Sequence, residues 1–438
     1  ADYNAMVTLL GEVRRWRLLP VVSLAIAAVL IFQAGEIWLA DNRLSFGKLG
    51  LMERGAALVP GNAAAWDSLG RLRQWDLANP DLPGAIADYQ KAVRTDPRSA
   101  HYWMDLASAY EAAGDSARAR DSFLRAKAAY PLSAEVAFYY GNFLLRRQEY
   151  TAAYQELRRA VRADRTLLPL AISRTWRSSE DVDQLLSQML PPDAYAYLEA
   201  LDFFASIHRA EPGLTVWKRL LSLGQPIALS RTFPFFEELI HQDRGNDARR
   251  MWREAVVAAG LPYREPSDHS LIWNGDFGSD FGNGGLAWRW VPCPGISIDL
   301  DAHGRAPSGS RAVRLDFNGG NNFDLAAPLQ YVPVEPGRSY HFHAYMRTRE
   351  ITTESGLRFS IADPNHPRVP NVLTENFTGS HEWTAVNADI TTSPDTHFLV
   401  VRLLRRPSRL FDNKLSGSVW IGDVSLVPSS PEAERTSP

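Results

Sequence analysis

Residues 100–133 read AHYWMDLASAYEAAGDSARARDSFLRAKAAYPLS, and the placing of large and small residues in that stretch decides how the first half of the chain folds. Counting Ala100 as the first position, Trp103, Leu106, Ala107 and Tyr110 fall at 4, 7, 8 and 11. Ala119, Phe123, Ala126 and Pro131 fall at 20, 24, 27 and 32. Small residues at 8, 20 and 27 let two paired helices approach closely, and large ones at 4, 7, 11 and 24 fill the layer between successive units. A proline at 32 ends the second helix.

The pattern recurs in phase on both sides. The next unit supplies Ala137, Tyr140, Gly141, Leu144, Ala153, Leu157 and Ala160. The preceding one supplies Trp66, Leu69 and Gly70, then Ala85, Tyr89, Ala92 and Pro97, with three extra residues absorbed in the turn from Asn79 to Gly84. This spacing resembles the tetratricopeptide-repeat family over residues 63–167, which implies an all-α solenoid that binds a partner protein. A plain spacer is the alternative. Lys48 to Pro60 reads as a half-unit leading in. Residues 168–262 keep a helical pattern but lose the period, although Ala248, Trp252 and Ala255 repeat the 20/24/27 spacing. They read as degenerate repeats closing a helical domain over 41–262.

Ahead of the repeats, residues 18–35 carry no charge and are mostly Leu, Val, Ile and Ala. Eighteen helical residues span about 27 Å, close to the ~30 Å of a bilayer's hydrocarbon core. Trp38 follows, and Arg14, Arg15 and Arg17 precede. The expectation is a transmembrane anchor over 18–40 in contact with the lipid bilayer, with residues 1–17 cytoplasmic and the bulk of the chain outside the cytoplasm. That places the protein in a bacterial inner membrane, with its bulk periplasmic. A cleaved signal peptide is the alternative, but large residues stand at −3 of both candidate sites, Gln33-Ala34-Gly35 and Trp38-Leu39-Ala40. A buried soluble helix is a third reading.

Composition narrows the rest. The 47 Lys+Arg against 50 Asp+Glu leave no basic excess, so a nucleic-acid partner is not expected. The single cysteine, Cys293, excludes an intrachain disulfide and a multi-cysteine metal site. Phosphate-loop, zinc-protease-helix and nucleophile-elbow motifs do not occur, so an enzyme is not expected and no catalytic residue is assigned.

At Pro262-Tyr263-Arg264-Glu265-Pro266 the helical period stops, which sets a linker at 263–270. Short alternating segments then run between Gly, Pro and Asn turns: Arg311–Phe317, Ser339–Arg347, Leu357–Ile361, Thr384–Ile390, His397–Leu404 and Ser418–Leu426. They predict an antiparallel β-sandwich. Asn274-Gly275-Asp276-Phe277, Trp288-Arg289-Trp290, Pro336-Gly337-Arg338-Ser339-Tyr340 and Trp420-Ile421-Gly422-Asp423-Val424 stand in an order that resembles the jelly-roll carbohydrate-binding modules of the galactose-binding-like superfamily over 271–428. Residues 429–438 read as a flexible tail. The resemblance implies an all-β jelly roll and, in some members, a structural calcium. Here Asp276 and Asp423 are the candidate ligands, while Gly278 and Gly422 stand where acidic residues are usual.

Period-two alternation puts Tyr340, Phe342, Ala344 and Met346 on one face of a strand and His341, His343, Tyr345 and Arg347 on the other. The second set, with Arg358 and Arg402 from later strands, combines donors and an aromatic surface suited to a polysaccharide. An ordinary solvated face is the other reading. His341-x-His343 resembles the first ligand pair of cupins, but no matching downstream motif follows. The domain order resembles that of bacterial exopolysaccharide-associated envelope proteins. It implies a non-enzymatic, membrane-anchored scaffold, against a purely structural accessory subunit or a glycan-active enzyme.

Overall fold

The computed structural model describes residues 49–76, 79–263, 269–301, 304–368 and 371–429, together with ten helical residues between Leu24 and Trp38. The expected cytoplasmic segment, most of the anchor, the core of the linker and the tail after residue 429 lie outside them. Among the described residues no helix is long and apolar enough to cross a membrane. Two compact units emerge: residues 1–180 with 187–189, and residues 181–186 with 190–438.

The first unit is a run of antiparallel helix pairs: α1 (Leu49–Leu58), α2 (Ala63–Trp75), α3 (Leu82–Thr95), α4 (Ala100–Ala112), α5 (Ser116–Ala129), α6 (Ala134–Arg146), α7 (Tyr150–Ala163) and α8 (Leu168–Ser179). Side chains of Asn62, Asp81, Asp115 and Ser133 cap α2, α3, α5 and α6 by accepting from the third backbone N–H beyond. The small positions are closed contacts: Ala85, Ala92, Ala107, Ala119, Ala126, Ala137, Ala153 and Ala160 are all fully buried. A methyl group on Gly70 would stand 2.8 Å from the Tyr89 ring, and one on Gly141 would stand 2.9 Å from Leu157. Trp66 and Trp103 hold equivalent places, each donating from Nε1 to the carbonyl of a proline six residues earlier, Pro60 at 3.0 Å and Pro97 at 2.9 Å.

The long helices of the second unit are α9 (Ala194–Ser206), α10 (Ala210–Leu221), α11 (Phe233–His241) and α12 (Gly245–Ala258). These helices form two more hairpins with the turn chemistry of the first unit. Gly114, Gln148, His208 and Asp243 each adopt positive φ at the end of a first helix. In each case the next N–H returns to a carbonyl five residues back: Asp115 to Tyr110, Glu149 to Leu144, Arg209 to Phe204 and Arg244 to Leu239. Ala248, Trp252 and Ala255 are buried in α12.

The same unit contains a sandwich of two antiparallel sheets. Its strands are β1 (Ile296–Asp301), β2 (Ala312–Asn318), β3 (Leu329–Pro333), β4 (Ser339–Ile351), β5 (Arg358–Ala362), β6 (Val372–Leu373), β7 (Gly379–Thr391), β8 (Phe398–Leu404) and β9 (Ser416–Pro428). One sheet runs β1-β2-β9-β4-β7 and the other β3-β8-β5-β6. Val313, Leu315, Phe342, Met346, Phe359, Val401, Leu403, Ile421 and Leu426 fill the space between them. The hairpin α11–α12 packs onto this sandwich. Trp252 meets Trp273 edge-on at 5.4 Å, Arg249 donates to the Pro333 carbonyl at 2.7 Å, and Asn365 donates to the Ile240 carbonyl at 3.0 Å. Gly284 and Gly285 admit the rings of Phe233 and Trp252, where a methyl group would sit 2.1 and 2.4 Å from ring carbons.

Candidate functional site

Strand β4 alternates strictly from Ser339 to Thr348, because its inner face lines the core and its outer face does not. Tyr340, Phe342, Ala344 and Met346 are buried; His341, His343, Tyr345 and Arg347 are half-buried on the opposite face. The register places Asp389, Asn387 and Ala385 of β7 beside His341, His343 and Tyr345. On the other side β9 sets Val427, Ser425, Gly422 and Trp420 beside His341, His343, Tyr345 and Arg347.

The row is joined by specific contacts. His341 Nδ1 lies 2.8 Å from Asp389, His343 Nδ1 lies 2.8 Å from Asn387, and the His343 and Tyr345 rings meet edge-on at 4.9 Å. Arg347 lies between two indoles, 4.1 Å from the centroid of Trp420 and 5.4 Å from that of Trp383. Trp420 is held by its Nε1 donating to Asp301 at 3.0 Å, and Arg314 bonds Asp316 at 2.9 Å, with Asp316 accepting from Ser418 at 2.6 Å. Trp420 is itself buried and backs Arg347, so the outer face of the five-stranded sheet presents the half-exposed His343, Tyr345, Arg347 and Trp383 as an aromatic and cationic row flanked by fixed polar groups. Planar rings stack on the faces of sugar rings, and fixed donors meet their hydroxyls.

Arg358 and Arg402 do not belong to this row. They sit on β5 and β8 in the four-stranded sheet, so they face out of the opposite side of the sandwich. The chain crosses between sheets after β4, which reverses the direction in which an outward alternation points. That second outer face is largely closed: Phe398 and Val400, flanking Arg402, are buried, α12 packs on β3, and Gly245 lies against the His397 carbonyl. Trp383 and Trp420 were not among the expected site residues. Trp420 shares the outward alternation of Ser418, but its partnership with Arg347 depends on β9 lying between β2 and β4.

The aspartates expected to hold calcium are otherwise engaged. Asp423 accepts from the backbone N–H of Ser308 at 3.1 Å, from the Ser308 hydroxyl, and from the Ser310 hydroxyl at 2.6 Å. Asp276 accepts from the Gly278 N–H at 3.1 Å. Calcium needs six to eight oxygen ligands, several of them carboxylates. Among the described residues neither aspartate belongs to a cluster of three or more carboxylate or imidazole ligands. Both carboxylates thus accept from the protein's own donors, and neither is joined by further carboxylates among the described residues.

In the first unit the first helices of successive pairs share a polar face. Gln74 donates to Ser108 at 3.3 Å, and Arg146 grips Glu111 with two bonds of 2.6 and 2.7 Å. Arg71 bonds Asp67 at 2.6 Å and lies 3.7 Å from Asp105. Burial, then the charge of Asp67 and a hydrogen bond with it, lifts the Asp105 carboxyl from its ordinary 3.8 to about 7. Trp75 and Tyr139 stand exposed on these helices.

Residues 76–134 and 105–166 match the family model described as "Tetratricopeptide repeat". A comparison with curated proteins finds no match. Among solved structures, a tetratricopeptide repeat protein from Parabacteroides merdae is 15% identical, covering 53% of this chain and 94% of that one, with a TM-score of 0.31. A structure described as "CBM4 structure and function" is 14% identical, covering 36% of this chain and 99% of its own, with a TM-score of 0.27. The CBM22-1-GH10 modules of Clostridium thermocellum xylanase 10B, complexed with xylohexaose, are 10% identical over 31% of this chain and 25% of that one, with a TM-score of 0.23. The helix pairs between residues 76 and 166 are thus tetratricopeptide repeats, carried on one chain with a two-sheet β-sandwich.

Proposed function

We propose that the chain is a non-enzymatic scaffold of a bacterial envelope assembly, which docks a protein on its repeats and touches a polysaccharide with the outer face of the five-stranded sheet. The observation that carries the glycan half is Arg347 held between Trp383 and Trp420, in line with Tyr345 and two histidines. For the protein half it is the shared polar face of α2, α4 and α6, with Trp75 and Tyr139 exposed upon it.

The anchor over 18–40 belongs to the same proposal. It rests on the uncharged run of residues 18–35 and on Leu24, Ile26, Val29, Ile31 and Phe32, which are helical with their apolar side chains exposed. A bilayer would cover such side chains. A cysteine placed near residue 300, with Cys293 replaced, is then expected to react with an impermeant thiol reagent in intact spheroplasts. Protection there, with labelling near residue 5, would reverse the topology.

One observation favours a purely structural subunit instead. His341 and His343 already have partners in Asp389 and Asn387, as the groups of a solvated or protein-covered face would. Gentle extraction from membranes after crosslinking, followed by identification of co-purifying chains, tests the docking role. Partners retained when Trp75 and Tyr139 are both replaced by alanine would refute docking on that face.

A further inference from the structure

A third cluster lies in the helical part of the second unit. His208 ends the turn between α9 and α10, and Glu238 and His241 stand three residues apart on α11. One donor atom from each lies within 4.8 Å of the others. Glu238 is buried, and its ion-pair partner among the described residues is His208, whose Nδ1 is 2.7 Å from Oε2. The His241 ring lies 5.4 Å from the His208 ring, centre to centre. Gln242 bonds the second Glu238 oxygen and also donates to the His208 carbonyl at 3.0 Å, so it fixes both the carboxylate and the turn.

We propose that His208, Glu238 and His241 bind one divalent transition-metal ion of the zinc class. Two imidazoles and a carboxylate suit zinc, cobalt or nickel, whereas calcium and magnesium take oxygen ligands. Zinc bonds of about 2.0–2.1 Å put tetrahedral ligand atoms about 3.3 Å apart. Reaching that spacing asks only for side-chain rotation of two exposed imidazoles, while the carboxylate and its glutamine support stay in place. Three protein ligands leave a coordination position for water or for a side chain of a docked protein. The other three-residue cluster, Asp67, His101 and Asp105, is a poorer candidate because the Arg71 guanidinium already lies on its carboxylates.

The test is equilibrium dialysis of the tag-free full chain in detergent against Zn2+, with Co2+ absorption in the visible as the readout of geometry. One equivalent is expected to bind, with the ligand-field bands of a four- or five-coordinate ion. His208→Asn keeps a residue that tolerates positive φ, and His241→Ala removes an exposed side chain, so both variants are expected to fold. Each should weaken binding at least tenfold, while His341→Ala/His343→Ala and His101→Ala leave it unchanged. Absence of a saturable equivalent would overturn the proposal. So would an equivalent that survives in His208→Asn/His241→Ala, or one lost on replacing His341 and His343 or His101.

Discussion

The guanidinium of Arg347 lies 4.1 Å from the centre of the Trp420 ring, across two strands 73 positions apart in the chain, and Trp383 closes its other side at 5.4 Å. A cation over an aromatic face is worth ~0.5–2 kcal/mol. Arg347→Ala is therefore expected to lower the stability of the sandwich by about 1–2 kcal/mol. Arg347→Lys keeps the charge but loses the planar stack and should recover only part of it. Denaturant titration of both variants, followed by tryptophan emission, measures the difference.

Gly70 and Gly141 set close helix contacts in the repeats, whereas Gly50 ahead of them makes none. Gly141→Ala places a methyl group 2.9 Å from Leu157 and is expected to destabilise by ~1–3 kcal/mol despite the better helix propensity of alanine. Gly50, in α1, has nothing within 4 Å of a would-be methyl group, so Gly50→Ala should stabilise by ~0.5–1 kcal/mol. Thermal unfolding that moves both variants the same way would refute this reading of the close contact.

Asp105 gives the first unit a pH dependence of definite sign. Its carboxyl is raised by burial and by Asp67 to about 7, above the ordinary 3.8. The folded state therefore binds a proton the unfolded state has released. The stabilisation is complete below about pH 4 and is lost as the pH rises through about 7. Asp105→Asn, which supplies an N–H to Asp67 at every pH, should flatten that slope and be more stable at pH 8, by an amount on the order of 1–3 kcal/mol. Circular dichroism melts from pH 4 to pH 8 read it directly.

Arg405 is buried in the sandwich, and its donors reach the carbonyls of Ser355 at 3.0 Å and Asn413 at 3.3 Å, the carbonyl of Phe323, and the side chains of Asn322 at 3.1 Å and Thr353 at 3.2 Å. Burial holds the guanidinium below its ordinary pKa. Arg405→Met leaves several buried acceptors unpaired and is expected to cost about 3–5 kcal/mol. Lysine has three donors against five and should not rescue it. Equilibrium unfolding in urea checks both.

Much of this was legible beforehand where one face of an element meets the core. Trp103, Ala119 and Phe123 reveal their unit because helix packing enforces a fixed spacing, and Tyr340 to Arg347 reveals its two faces because only one is buried. Strand β3 is hidden in the sequence: its burial alternates, but Gln330, bonded to Trp273, takes a core-side position, so polar and apolar residues do not. The hairpins after residue 190 kept their turn but not their side chains. The turn requires only one residue at positive φ, and Gly114, Gln148, His208 and Asp243 all meet that need. The candidate row is only partly legible in the sequence, since alternation gives a residue's face but not its sheet. Arg358 and Arg402 share the outward alternation but lie on the other sheet, and Trp383 and Trp420 reach Arg347 only through the strand order.

The most direct test is affinity electrophoresis of the folded full chain in gels containing soluble bacterial polysaccharides, neutral and acidic. The native chain should be retarded by at least one of them. Tyr345→Ala/Trp383→Ala should abolish the retardation while leaving the fold intact, and Arg402→Ala, on the opposite sheet, should leave it unchanged. No retardation by any polysaccharide, or retardation that persists in Tyr345→Ala/Trp383→Ala, would contradict glycan binding on the five-stranded sheet.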